Sequence, residues 1–333
     1  MPAAIEIENL SKVYTKRNGP AVQAVDNLNL RIPSGEIFGF LGSNGAGKTT
    51  TIKMACGLIV PTGGRVRLNG YDVQRQRGQA MRQIGAVLEG TRNVYWRLTA
   101  WQNLLYFGRL KGVTGRGLKE RAERLLRELD LWERRKDPVR TFSRGMQQKV
   151  AIACALVADP PIVLLDEPTL GLDVQAARTV KGWIEKLVRE EGKTVVLTTH
   201  QLDMAESLCD RVAIMSQGRL LANRPTHELL DLFRQEFYRV RLRGEVPAQA
   251  LARFPGFTAQ QENGYTVLSG SIEDHDVLYQ IIDHVRSLGL ELVSISQAEP
   301  NLEEVFVELI DRGGMVPNKD DHRAPVSSVM RNS

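Results

Sequence analysis

The sequence predicts an α/β fold: a mainly parallel sheet with helices on both faces, a β-rich start forming an antiparallel subdomain, a helical insertion, and a small C-terminal α+β domain. Three observations predict it. A Gly-rich stretch, Gly42-Ser43-Asn44-Gly45-Ala46-Gly47-Lys48-Thr49, separates the apolar run Glu36–Leu41 from Thr50–Met54, which reads as the start of a helix. A second apolar run, Ile162–Leu165, ends on Asp166-Glu167. From Thr99 to Ala158 the apolar spacing is helical, and βαβ alternation then resumes.

Taken in order, Ile5–Leu10 alternates as a strand does, Val13-Tyr14 follows, and Thr15–Pro20 is a polar loop. Ala24–Ile32 alternates again, and Pro33-Ser34-Gly35 turns the chain into the strand before the Gly-rich loop. Pro61–Gly64 is a turn, Arg65–Gly70 a strand and Ile84–Leu88 a short buried strand. In the insertion, Leu104, Leu105 and Phe107 mark one helix. Leu118, Leu125, Leu126 and Leu129 stripe a second, and Met146–Val157 makes a third. Helices over Val174–Glu191 and Asp203–Cys209 alternate with strands over Thr194–Thr199 and Val212–Met215. Beyond them come strands at Tyr238–Arg243, Tyr265–Leu268 and Leu290–Ile295, and helices at Val277–Leu288 and Leu302–Ile310. The expected domains are residues 1–232, with the helical insertion at about 90–158, and 233–311. The Pro/Ser/Asn-rich tail over 312–333 reads as disordered.

A length of 333 residues accommodates these two domains. No apolar stretch reaches the roughly 18 residues of a membrane span, and Asp159-Pro160-Pro161 interrupts the longest candidate, Val150–Leu165. The N-terminus lacks the basic and apolar regions of a signal peptide. Cys56, Cys154 and Cys209 are widely spaced in apolar settings, which suits a reducing cytosol and suggests neither metal spacing nor a disulfide framework. The net charge is +5, and the stretch 109–140, with 11 basic and 6 acidic residues, holds that whole excess. It reads as a solvated helix face, with a surface near anionic lipid as the alternative.

The Gly-rich loop carries a specific chemistry. Gly42, Gly45 and Gly47 permit the turns that aim the N–H groups of Ser43, Asn44, Ala46 and their neighbours at one point. The helix starting at Lys48 adds free N–H groups, including those of Thr49 and Thr50, and its positive dipole end. Lys48 supplies a charge for the β- and γ-phosphates of a nucleotide triphosphate, and the Thr49 hydroxyl a ligand for Mg²⁺. Asp166, 118 residues after Lys48, emerges from its strand where it could hold that ion, and Glu167 where it could polarise an attacking water. The loop alone would suit a kinase or a GTPase equally.

The chain also resembles the ATP-binding subunit of an ABC transporter. Phe142-Ser143-Arg144-Gly145-Met146-Gln147-Gln148-Lys149 matches that family's signature, usually L-S-G-G-Q, at the start of a helix shortly before the carboxylate strand. The resemblance implies a P-loop ATPase fold, with Ser143, Arg144, Gly145 and Gln147 facing ATP on a second subunit. It implies that Leu170-Gly171-Leu172-Asp173 crosses the dimer interface, with Asp173 at the nucleotide. It makes His200 the switch histidine that orients Glu167 or the water, and Tyr14 the aromatic residue that stacks on adenine. Three positions, Glu89, Arg144 and Met146, depart from the pattern. Glu89, in Val87–Arg92, stands where the family has a Gln that ligates Mg²⁺, and Arg144 replaces a Gly.

The resemblance covers residues 5–225 closely. More loosely, Asn301–Phe306 and the domain that they end resemble the appendix of the drug- and polymer-exporting branch. It implies an Mg²⁺-dependent ATPase at the cytoplasmic face of the membrane, with a second copy of the chain and a separate transmembrane permease as partners. Trp96, Leu98, Trp101 and Leu105 are candidates for docking the permease, with a buried helical core as the equal alternative. An importer subunit, and a soluble ATPase of this family acting on nucleic acid or ribosomes, are the alternatives. One phosphate loop, the lack of heptads and the lack of a CxxC pair disfavour the nucleic-acid reading.

Overall fold

The computed structural model describes residues 3–15, 20–90, 93–234, 237–246, 257–271, 275–298 and 301–311. Thr91-Arg92, most of the loop before Pro20 and the 312–333 tail expected to be disordered lie outside them. The chain divides into two compact units between Arg224 and Pro225, eight residues before the boundary expected at 232.

The first unit opens with β1 (Ala3–Tyr14), one strand running through Val13-Tyr14, and β2 (Val22–Pro33), paired antiparallel. Next come β3 (Ile37–Leu41), buried at every position, and α1 (Lys48–Ala55). With β4 (Gly63–Leu68) and β5 (Tyr71–Asp72) the first sheet is complete, in the order β2-β1-β4-β5. A helix that the hydropathy pattern does not announce, α2 (Arg77–Arg82), leads into β6 (Ile84–Val87).

The insertion contains α3 (Ala100–Leu110), α4 (Gly115–Glu128) and α5 (Arg144–Leu156). Thr99 and Gln102 form a capping box that fixes the start of α3. The α4 stripe buries Leu118, Ala122, Leu125 and Leu126 at the spacing of one helix face. The chain then returns to the sheet through β7 (Ile162–Asp166), α6 (Val174–Arg189), β8 (Thr194–Thr199), α7 (Leu202–Leu208), β9 (Arg211–Ser216) and β10 (Arg219–Pro225).

The second sheet has the order β10-β9-β3-β8-β7-β6, and its β9-β3-β8-β7-β6 contacts are all parallel. Phe38, Phe40, Ile52 and Met54 join both sheets in one core. Burying each of them contributes about 2 kcal/mol. Register matters most for function. Asp166 pairs with Thr198 and Leu41 with Thr199, so the carboxyl ends of β7, β8 and β3 lie side by side. Ligands of open parallel sheets bind at that edge.

The second unit contains α8 (Thr226–Arg234), β11 (Phe237–Arg243), β12 (Phe257–Glu262), β13 (Tyr265–Ser271), α9 (His275–Ser287), β14 (Glu291–Gln297) and α10 (Leu302–Asp311). Its antiparallel sheet has the order β12-β13-β11-β14. Val240, Leu242, Leu268, Ile281 and Val285 form its core.

Candidate active site

Gly47 occupies the N-cap position of α1 at φ 105, and a Cβ there would lie 2.5 Å from the Ala24 carbonyl oxygen. Only glycine fits that backbone so close to β2. The loop closes on itself where the Ala46 N–H donates to the Ser43 carbonyl at 3.1 Å. The Lys48 ammonium donates to the carbonyls of Gly42 at 2.6 Å and Ser43 at 3.2 Å, and the residue is 6% exposed. Burial pushes that ammonium below the usual lysine range, while the carboxylates of Glu167, Asp166 and Glu89 pull the other way. Such a site favours a bound anion that replaces lost hydration.

Asp166 ends β7 fully buried, and three donors converge on it. Thr198 Oγ1 donates to Oδ1 at 2.5 Å, Thr49 Oγ1 to the same oxygen at 3.3 Å, and the Glu89 N–H to Oδ2 at 3.4 Å. The next residue, Glu167, has φ 51. Its N–H donates to both the carbonyl and the hydroxyl of Thr198, each at 3.1 Å. The unusual backbone turns its side chain from the sheet to the cleft, where Oε1 lies 2.8 Å from His200 Nδ1. The Glu167 side chain is 11% exposed and that of His200 46%, so a water reaches the pair from one side.

These groups share a cleft of about 680 Å³ lined by Asn44–Thr50, Glu89, Glu167, His200 and Tyr14. Tyr14 stands half-exposed at the end of β1, with the Lys12 ammonium 5.2 Å from its ring centroid. The exposed Glu89 side chain faces this cleft and touches Asp166 only through its main chain. Thr49 and Asp166 offer hard oxygen ligands. Among the described residues, no group of three or more His, Cys, Asp or Glu could hold a metal ion. The fit is to an ion that completes its shell with phosphate and water, as Mg²⁺ does.

Two signature residues, Arg144 and Gln147, line an adjoining cavity together with Glu89, Asp166 and Glu167. Among the described lining residues of the cleft, none belongs to 143–147. Ser143 caps α5, accepting from the Met146 N–H at 3.3 Å. Gln147 is turned back, its amide donating to the Phe142 carbonyl at 3.1 Å. A Cβ on Gly145 would meet the Ala176 methyl at 3.0 Å, so the start of α5 packs closely on α6. The Arg144 guanidinium lies over Gly171, where a Cβ would come within 2.6 Å of its carbon. Asp173 caps α6 by accepting from the Ala176 N–H at 2.8 Å.

The expected docking residues differ in exposure. Trp96 is exposed, whereas Trp101 packs edge-on against Trp132 at 6.0 Å. Leu98 and Leu105 are partly buried. A different groove, of about 280 Å³, is lined by Leu58, Met81, Phe107, Leu110 and Cys154. Sequence reasoning also missed Thr198, Thr169 and Gln201. The signal for the first was a pair of threonines ending an otherwise apolar strand.

The family model described as ABC transporter matches residues 25–170, and one described as a domain of unknown function matches 237–296. The chain is 37% identical to the daunorubicin/doxorubicin resistance ATP-binding protein DrrA of Streptomyces peucetius, over 92% of each chain. It is 32% identical to the linearmycin resistance ATP-binding protein LnrL of Bacillus subtilis, over 92% of this chain and 98% of that one. Among solved structures it resembles the dimeric post-hydrolysis state of the ATP-binding cassette MJ0796 bound to ADP and Pi. That likeness has a TM-score of 0.61 at 28% identity, and covers 67% of this chain and 98% of the other.

Proposed function

The chain belongs to the ATP-binding subunits of ABC transporters, transport-coupled ATPases, and from that premise we propose that it powers export through a separate membrane-spanning partner. Two copies would close over two ATP molecules. The observation that carries the two-copy reading is the division of the site. Lys48, Glu167 and His200 line one cleft, and neither Ser143 nor Gly145 lines it or the adjoining cavity that Arg144 and Gln147 share with Glu167. That arrangement fits a second copy supplying Ser143, Gly145 and the cationic Arg144 to the phosphates.

Within one copy the geometry supports the following roles. The Ser43–Thr50 amides and Lys48 bind the phosphates, and the Tyr14 ring stacks on the base. Thr49 and Asp166 hold Mg²⁺, with Glu89 at the cleft mouth as a further oxygen ligand, and the ion neutralises phosphate charge when bound. Glu167 takes a proton from the attacking water as its oxygen bonds to the γ-phosphorus, the bond from that phosphorus to the bridging β-phosphate oxygen breaks and ADP leaves beside inorganic phosphate, and His200 holds the carboxylate in place. Asp173 and the segment before it meet the second copy.

No helix among the described residues is long and apolar enough to cross a membrane. In the proposal the chain is peripheral to the membrane's cytoplasmic face and docks on its partner through the Leu58–Phe107–Leu110 groove. The names of DrrA and LnrL support export rather than import, and the partner selects the substrate.

The test is purification of the full chain from detergent-solubilised cells, with ATPase assays of the wild type and Lys48→Ala. Co-purification of a membrane-spanning protein, and hydrolysis lost in Lys48→Ala, are expected. Recovery with ribosomes or DNA instead would overturn the export reading.

A further inference from the structure

The residues that leave β7 and those that end β8 meet rung by rung. Thr198 joins Asp166 and the Glu167 N–H, and His200 joins the Glu167 carboxylate. One rung further, the buried Thr169 hydroxyl donates to Gln201 Oε1 at 2.9 Å and lies 3.1 Å from Met204 Sδ. The hydrolysis described above uses neither Thr169 nor Gln201.

Gln201 occupies the N-cap position of α7, where Ser, Thr, Asp or Asn would satisfy a free N–H. Its side chain makes no cap bond. It reaches instead to Thr169, 32 residues back in the chain. Its own N–H donates to Thr199 Oγ1 at 2.9 Å. Gln201 is therefore pinned twice, through its main chain to the end of β8 and through its amide to the segment between Glu167 and Leu170–Asp173. His200 sits between the two anchors with its imidazole half-exposed and Glu167 against one ring nitrogen. Little else restricts that ring.

We propose that Gln201, held by Thr169, is the positioning residue that keeps His200 against Glu167, and that the same rung ties the Leu170–Asp173 segment to that pair. The proposal rests on the roles assigned above to Glu167 and His200. Without the rung, residues 200–201 move away from β7 and the imidazole leaves the carboxylate for part of the time. Lys48 and its loop are untouched, so nucleotide binding is preserved while turnover slows.

Steady-state hydrolysis by the full chain tests this in Gln201→Leu, Thr169→Val and Thr169→Ser, alone and with His200→Ala. Binding of a fluorescent ATP analogue and the thermal midpoint are measured in parallel. The expected result is a kcat about fivefold lower in Gln201→Leu and Thr169→Val, the worth of one hydrogen bond. KM and analogue binding stay at wild-type values, and Thr169→Ser restores the rate. In the His200→Ala background Gln201→Leu costs nothing more, because both act through one contact. If Thr169→Val fails to fold, the exposed Gln201 still carries the test. A wild-type kcat in Gln201→Leu beside a slow His200→Ala overturns the proposal alone, as does an undiminished Gln201→Leu effect in the His200→Ala background. A wild-type rate in His200→Ala overturns the switch reading and the proposal with it.

Discussion

Glu167 is a non-glycine residue at φ 51, and its N–H is tied to both oxygens of Thr198. A left-handed backbone on such a residue costs of order 1–3 kcal/mol and persists only where neighbours enforce it. Here the strain aims a carboxylate into the cleft. Glu167→Gln keeps the backbone and the shape, so it should bind ATP as the wild type does while hydrolysing about 10²–10⁴-fold more slowly. Single-turnover phosphate release with separate binding measurements checks both halves. Glu167→Gly removes strain and base together, and calorimetry should find its thermal midpoint equal to or above wild type while hydrolysis is lost. Glu89→Gln tests the carboxylate at the cleft mouth. A metal role predicts half-maximal hydrolysis at Mg²⁺ concentrations roughly threefold higher, and an unchanged Mg²⁺ titration would remove Glu89 from the ligand set. The phosphate loop, Asp166 and Glu167 could be read from short contiguous stretches, because each follows its own apolar strand. His200 needed the family resemblance as well. Thr198, Thr169 and Gln201 were not legible, since their bonds span about 32 residues and depend on the β7–β8 register.

Glycines at close element crossings decide how the helical insertion meets the sheet. A Cβ at Gly85 of β6 would lie 2.1 Å from the Ala155 carbonyl oxygen, at the end of α5. Backbone on both sides leaves nothing flexible to yield. Gly85→Ala should therefore destabilise the first unit by about 2–3 kcal/mol, read as a lower denaturation midpoint. At Gly108 of α3 the neighbour is the Leu118 side-chain tip, so Gly108→Ala should cost visibly less despite a similar approach of 2.2 Å. Near the same junction the Lys193 ammonium beside Asp159 holds that carboxyl below the usual range, aided by the more distant Arg121. A lowered carboxylate pKa stabilises the fold above the unfolded value, and that stabilisation is lost as pH falls through the folded one. Asp159→Asn should thus narrow the stability gap between neutral and acidic pH, seen in melts across that range. The longer elements were legible from their periodicity. Five others were not, α2, β5, β10, α8 and β12: α2 buries only Ala80, and β12 is exposed at every position over Thr258–Glu262, so neither of these has a stripe to read.

At the scale of the whole molecule, the basic stretch is partly neutralised where it stands. Arg116, Arg127 and Arg134 each pair with an acidic residue three or four positions away. Exposed pairs of this kind add little stability, and they support a solvated face over a lipid-binding one. The antiparallel and parallel sheets of the first unit carry the cleft, and neither Ser143 nor Gly145 lines it. A phosphate loop legible in one stretch is thus proposed as half of a site, with the other half on a second copy. Light scattering of Glu167→Gln with and without ATP and Mg²⁺ tests this most directly. The account predicts the mass of one chain without nucleotide and of two with it, reverting to one when Lys48→Ala is added. A mass of one chain while ATP is measurably bound would contradict it.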